Sequence, residues 1–184
     1  MVVMLVLLLI VVAAAIWFFA IYNSFIGLKL RVENAWSQID VQLKRRHDLI
    51  PNLVETVKGY MSYEKDTLER VIKARSQAID ATNIKDKAQA ENFLTQTLRS
   101  LFSVVEKYPD LKANQNVLQL QGELTSTENK ISFARQYFND EVQNYNTMIQ
   151  TVPSNVVAGI ANFQKKEFFE IEDASQKEPP QVKL

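Results

Sequence analysis

Apolar residues fill the start of the chain almost without interruption, and a polar, helix-patterned sequence follows them. The run from Val2 to Tyr22 contains no charged residue. A helix of that length spans roughly 31 Å, which matches the hydrocarbon thickness of a bilayer. The pattern therefore predicts an N-terminal transmembrane anchor, which we place at residues 1–27, followed by a domain outside the bilayer.

A cleaved signal peptide is the alternative interpretation of this run. Such peptides have a basic start, a shorter apolar stretch of about 7–15 residues and a small-residue cleavage site. No Lys or Arg precedes Val2, and the alanines at 13–15 lie in the middle of the apolar stretch. We therefore expect an uncleaved anchor.

Basic residues lie on one side of the predicted span. None precedes it, whereas Lys29 and Arg31 follow closely and are candidates for contact with lipid headgroups. Because Lys and Arg are enriched in cytoplasmic segments, we expect the N-terminus outside and the following domain in the cytoplasm.

The next segment repeats with the three-and-four spacing of a coiled-coil seam, and Arg46 occupies one of its apolar positions. Its apolar members are Val32, Trp36, Ile39, Leu43, Ile50, Leu53, Val57 and Tyr60. Pro51 removes a backbone donor inside the pattern. We expect either a kink near residues 46–50 or a new helix starting at Pro51. The helical pattern resumes over 61–79, and the first polar break falls at 81–83.

Two more long helices are predicted beyond this break. One covers about 86–106, and Asn83 with Asp86 supplies its start. The other covers about 114–151, with Asn114 or Asn116 as its cap and Pro153 at its end. Its seam repeats every seven residues at Val117, Leu124, Ile131, Phe138, Tyr145 and Val152.

The sequence thus predicts an all-α fold, with the transmembrane helix followed by an elongated antiparallel bundle of three to four long helices. The bundle domain covers residues 28–171. The tail at 172–184 contains Gln, Lys, Glu and two prolines, and it is predicted to be disordered.

The charge balance and the absence of cysteine argue against several kinds of partner and site. The 21 basic residues balance the 21 acidic ones, whereas a nucleic-acid-binding protein usually has a basic surplus. We therefore expect no nucleic-acid partner. The chain has no cysteine, which excludes disulfides, thiolate nucleophiles and thiolate metal sites.

Candidate catalytic groups are sparse. His47 is the single histidine, and no carboxylate lies one helical turn from it. A di-iron bundle needs two Glu-x-x-His pairs, and a lone histidine gives little support to a Ser-His-Asp triad even with Asp48 adjacent. None of the four glycines belongs to a phosphate-binding loop. We predict no catalytic, cofactor or metal site, and hence no enzyme.

Two charged sets have structural and functional interpretations. The run Lys44–Asp48 is either a basic collar for anionic lipid or, as we favour, a solvated face with Arg46 paired internally. Arg46, Glu128 and Arg135 fall near seam positions, which favours a buried or half-buried ion pair that fixes helix register. The aromatic segment Phe163–Ile171 is expected to dock on the bundle, with membrane contact as the alternative.

Several stretches together resemble the LemA family. They are Asn34–Tyr60, Tyr108–Asn116, Leu120–Leu124, Thr127–Ile131, Ala134-Arg-Gln, Tyr145-Asn146 and Phe168–Glu170. The resemblance implies a bacterial single-pass protein of the cell (inner) membrane with an intracellular helical domain. It also implies relatives associated with magnetosome membranes and genes near a membrane zinc metalloprotease, but no settled molecular activity.

Two functions follow as hypotheses. The first is a non-enzymatic scaffold that contacts lipids through its N-terminal helix and forms homo-oligomers, because seams can pack between chains as well as within one. On this hypothesis Leu43→Asp lowers assembly. The alternative is an adaptor or regulator of another membrane protein, such as a quality-control metalloprotease.

Overall fold

The computed structural model describes residues 1–61 and 63–170, and these residues form six α-helices and no strand. The helices are α1 Val2–Lys58, α2 Lys65–Asp80, α3 Ile84–Val105, α4 Pro109–Lys112, α5 Gln115–Gln150 and α6 Ser154–Ile160. The predicted all-α class is confirmed. The predicted tail at 172–184 lies outside the described residues.

The chain folds into two compact units. Unit 1 contains Met1–Val41 and Ser132–Phe168, and unit 2 contains Gln42–Ile131 together with Phe169 and Glu170. Both long helices, α1 and α5, therefore contribute a segment to each unit.

Unit 2 has an apolar core drawn from all of its helices. The fully buried members include Ile50, Leu53, Val57, Val71, Ala74, Leu94, Leu101 and Leu111. Helices α2 and α3 pack along each other, and because only three residues join them they run antiparallel. Asn83 caps α3 as predicted, since its side chain accepts a hydrogen bond from the Asp86 amide at 2.7 Å. Asn114 caps α5 by accepting from the Asn116 amide at 3.0 Å.

Unit 1 is built on an antiparallel pair of segments from α1 and α5. Residues later in α1 contact residues earlier in α5, as Phe25 with Tyr145 and then Trp36 with Phe138 show. The predicted seams are used here within one chain, because Val32 and Ile39 are buried.

The N-terminal part of α1 contains the one stretch among the described residues that is long and apolar enough to cross a membrane. Every side chain from residue 1 to residue 17 is exposed, so nothing in the fold covers this stretch. Burial of apolar surface away from water is favourable by roughly 25 cal/mol per Å². A bilayer would supply that burial.

The first helix excludes one of the two alternatives at Pro51 and corrects the position of the first break. It continues through Pro51, so no new helix starts there. It then ends at Lys58, so the first break begins at Gly59 and not at 81–83. Gly59 favours this end, since glycine costs about 1 kcal/mol in a helix interior, and the turn brings Met61 into the core.

Some apolar residues of the predicted helical patterns face outward. Tyr60, Ile72, Ile79, Phe93 and Val152 are exposed. In α3 the buried stripe runs through Leu94 and Leu98, and Phe93 lies about 100° away from Leu94 around the helix. Helical spacing alone had placed both neighbours on one face.

Candidate functional site

A buried group of charged side chains lies inside unit 2, and Arg46 is at its centre. Arg46 is only 1 % exposed. Its Nη2 donates to Oε2 of Glu91 and its Nη1 donates to Oε2 of Glu128, so one guanidinium joins α1 to both α3 and α5. Thr95 Oγ1 also accepts from Arg46 Nη1 at 2.8 Å. We call Arg46, His47, Glu91, Thr95 and Glu128 the polar cluster.

His47 completes this cluster on the side of Glu91. Its Nε2 lies 2.8 Å from Oε1 of Glu91, and both side chains are buried. Burial alone raises the pKa of the Glu91 carboxyl. The hydrogen bond from His47 and the positive charge of Arg46 outweigh that effect, so the pKa lies below its ordinary value. Glu91 is then a carboxylate that accepts from both neighbours.

The polar cluster can fix the register of the three helices that it joins. Charges taken out of water need good partners, and removal of one partner from a buried pair typically costs about 3–5 kcal/mol. Three helices must therefore keep one axial and rotational setting for Arg46 to reach both carboxylates. Among the described residues, no group of three or more His, Asp and Glu side chains is arranged to hold a metal.

A cavity of about 270 Å³ opens beside the cluster. Arg46, Thr95 and Glu128 line its polar side, and Leu98, Phe102 and Leu124 line its apolar side. The Glu128 side chain is 36 % exposed. Water thus reaches one end of the cluster while Glu91 remains enclosed.

The structure separates the run Lys44–Asp48 into inward and outward residues. Lys44, Arg45 and Asp48 are exposed, whereas Arg46 and His47 are buried. The favoured interpretation, a solvated face with Arg46 paired internally, is confirmed, and so is the predicted pair between Arg46 and Glu128. Arg135 is half-buried in unit 1.

Among the charged members of the cluster, Glu91 is the one that sequence reasoning missed. It precedes Leu94 by three residues, and Leu94, Leu98 and Leu101 continue the same buried stripe of α3. The available signal was an acidic residue at a seam position of one helix, together with Arg46 at a seam position of another.

The predicted docking of the aromatic segment is confirmed in unit 1. Phe163 stacks on Phe25 with ring centroids 4.7 Å apart, and it also contacts Tyr22 at 5.7 Å. Asn146 holds the same segment, because its amide donates to the Lys166 carbonyl and accepts from the Lys166 amide, each at 2.8 Å. Ile171, the predicted end of this segment, lies outside the described residues.

The last short helix directs the chain into this docked segment. Asn162 follows α6 with φ of 54°. The Phe163 amide donates to the Ala158 carbonyl at 2.9 Å, and the Asn162 amide donates to the Gly159 carbonyl at 3.3 Å. These are the two hydrogen bonds of a Schellman motif. The reversal of direction brings Phe163 to Phe25.

Two large aromatic side chains of unit 1 are exposed on α5. Phe133 is 71 % exposed and Tyr137 is 42 % exposed. They lie four residues apart on α5, so they share one face of the helix.

The chain has an apolar helix long enough to span a membrane, and this helix continues into an all-α fold with a buried polar cluster. These features are those of a membrane-associated helical protein. This chain belongs to the LemA family, whose model matches residues 35–184.

The chain is similar to two groups of relatives. The chain is 29 % identical over 147 residues to protein LemA of Metamycoplasma hominis, an alignment that covers 74 % of this chain and 65 % of the relative. It is 22 % identical over 175 residues to magnetosome protein MamQ 2 of Paramagnetospirillum magneticum, covering 81 % and 64 %. The chain thus spans slightly less than two thirds of the length of these relatives.

Proposed function

We propose that this protein is a non-enzymatic scaffold that is anchored in the bacterial inner membrane and associates with further copies of itself. The observation that carries the proposal is the exposed pair Phe133 and Tyr137 on α5. Large aromatic side chains are enriched where proteins meet, because they bury much area with few rotatable bonds. Zero net charge lowers the repulsion between copies.

The heptad seams support self-association less directly than the sequence suggested. Leu43 is 1 % exposed and Ile39 is fully buried within one chain. Leu43→Asp therefore tests folding and not assembly. The surface available to a second copy lies instead on the outward face of α5.

Orientation is part of the same proposal. Lys29 and Arg31 follow the apolar stretch, and no basic residue precedes it. Their enrichment on the cytoplasmic side supports an outside N-terminus and a cytoplasmic helical domain. Relatives named as magnetosome proteins agree with a role in the organisation of a membrane.

The test is the particle mass of the full-length protein in lipid nanodiscs of ample diameter. We expect a mass above that of a dimer for the unmodified chain and a lower mass for the double variant Phe133→Ser, Tyr137→Ser. Leu118→Ser is the matched control, because Leu118 is also on α5 and 50 % exposed. A monomer for the unmodified chain would overturn the scaffold and favour an adaptor for another membrane protein, which crosslinking in cells would then identify.

A further inference from the structure

Helix α6 and its preceding turn present apolar side chains to the outside. Val152, Val156 and Ile160 are 81 %, 56 % and 69 % exposed. Within α6, Val156 and Ile160 are four residues apart and share one face. Val157 and Ala158 point into unit 1 and are buried. The helix is therefore apolar on its inner and outer sides.

This segment also lacks charge. No Asp, Glu, Lys or Arg occurs between Thr151 and Gln164, and Lys165 and Lys166 follow at once. A helix on the surface of a soluble domain normally presents charged and polar residues to water. An exposed apolar face with basic residues beside it favours contact with a lipid surface, and here Lys165 and Lys166 are followed by a single acidic residue, Glu167.

The position of α6 gives it access to lipid. Phe163, three residues after the helix, contacts Tyr22 and Phe25. Tyr22 is the last residue of the apolar run. The hydrogen bonds of Asn146 to Lys166 hold this connection in place. The end of α6 is thus tied to the level at which α1 leaves its membrane-spanning stretch.

We propose that the outer face of α6, formed by Val152, Val156 and Ile160, inserts into the interfacial layer of the membrane next to the anchor. Lys165 and Lys166 then lie at the depth of the headgroups, where long basic side chains keep their charge in water. The partner is a lipid surface with anionic headgroups. Contact at two points sets the tilt of unit 1 against the bilayer, which a single span alone does not do.

This inference rests on the anchor of the proposed function, and it does not depend on self-association. The absence of cysteine from the natural sequence allows a clean test with single-cysteine variants. Val156→Cys and Ile160→Cys report on α6. Ser37→Cys is the water-exposed control, because Ser37 is exposed on α1 and lies about 22 Å beyond Tyr22 along the helix. Ala14→Cys reports on the anchor.

Each full-length variant carries a nitroxide spin label and is reconstituted in vesicles of phosphatidylcholine and phosphatidylglycerol. Collision rates are measured with oxygen, which concentrates in lipid, and with a water-soluble nickel complex. We expect the oxygen-to-nickel ratio at positions 156 and 160 to exceed that at position 37 several-fold. Circular dichroism shows whether each variant keeps its helical content.

The outcomes separate the inference from the proposal beneath it. A lipid-like ratio at position 14 with a water-like ratio at 156 and 160 would overturn the inference and leave the anchor intact. Low collision with both reagents at 156 and 160 would also overturn it, because that result indicates cover by protein. A water-like ratio at position 14 would overturn the anchor and the inference together.

Discussion

Arg75 on α2 donates a hydrogen bond from its Nε to the backbone carbonyl of His47 on α1, at 2.7 Å. That carbonyl lies four residues before Pro51. In a regular helix it would accept from the amide of residue 51, but proline has no N–H. A side chain from the neighbouring helix therefore supplies the missing donor, and α1 continues through the proline.

This relationship predicts an energetic coupling between Arg75 and Pro51. Arg75→Met should lower the free energy of unfolding by about 1–2 kcal/mol, because a half-buried carbonyl loses a charged donor. In a Pro51→Ala background the same change should cost much less, since the new backbone amide at position 51 can donate to the His47 carbonyl. Urea unfolding of all four proteins in mild detergent, followed by circular dichroism, gives the coupling free energy.

Arg70→Met is the matched control for this cycle. Arg70 is an exposed arginine on the same helix, so its removal should change stability by less than about 0.5 kcal/mol. Equal losses for Arg75→Met with and without Pro51 would show that the hydrogen bond does not compensate for the proline.

The polar cluster predicts a second non-additive pair of substitutions. Arg46→Leu leaves the Glu91 carboxylate buried without its guanidinium partner, so stability should fall by about 3–5 kcal/mol. Arg46→Leu with Glu91→Leu removes both buried charges and should regain most of that loss. The same urea titrations measure both, and additive losses in the double variant would contradict a coupled pair.

Glu91 also predicts how stability depends on pH. Its pKa is lower in the folded chain than the ordinary value of 4.5, so the unfolded chain binds the proton more tightly. The stabilisation is complete above that ordinary value and is lost as the pH falls through the folded-state pKa. Glu91→Gln should therefore be less stable than the unmodified chain at pH 7, and the difference should shrink as the pH falls below the ordinary value.

The measurement for this prediction is the free energy of unfolding of both proteins over a pH series. Asp48→Asn is a suitable control, because Asp48 is adjacent to His47 in sequence yet exposed. A difference between Glu91→Gln and the unmodified chain that stays constant from neutral pH into the acid range would show that Glu91 does not carry this dependence.

Local signals predicted much of this fold. Asn83 and Asn114 mark helix starts in the structure as they do in the sequence, because a cap is formed by residues three or fewer positions apart. Arg46 at an apolar position correctly indicated an internal ion pair. Each of these sequence signals lies within one helical turn or one heptad.

The features that were missed depend on which helices meet. Periodicity shows the face on which Arg46 lies, but it does not show that α3 and Glu91 lie opposite, 45 residues away in the chain. The alternative of a new helix at Pro51 was wrong for the same reason, since the compensating donor comes from Arg75, 28 residues after His47. The structural roles of Arg46 and Pro51 therefore depend on contacts with residues far away in the sequence.

The reversal after α6 predicts a local effect that is separate from global stability. Asn162 is exposed and adopts a positive φ, a conformation that Asn and Gly tolerate and that β-branched residues strongly disfavour. Asn162→Gly should preserve the turn, whereas Asn162→Val should destabilise it by about 1–2 kcal/mol.

The Lys166 amide, which donates to Asn146, reports on the docked segment through hydrogen exchange. We expect Asn162→Val to speed that exchange about tenfold or more, as its free-energy cost implies, while amides in the core of unit 2 stay unchanged. Unaltered protection at Lys166 in Asn162→Val would show that the turn does not hold the segment on α1.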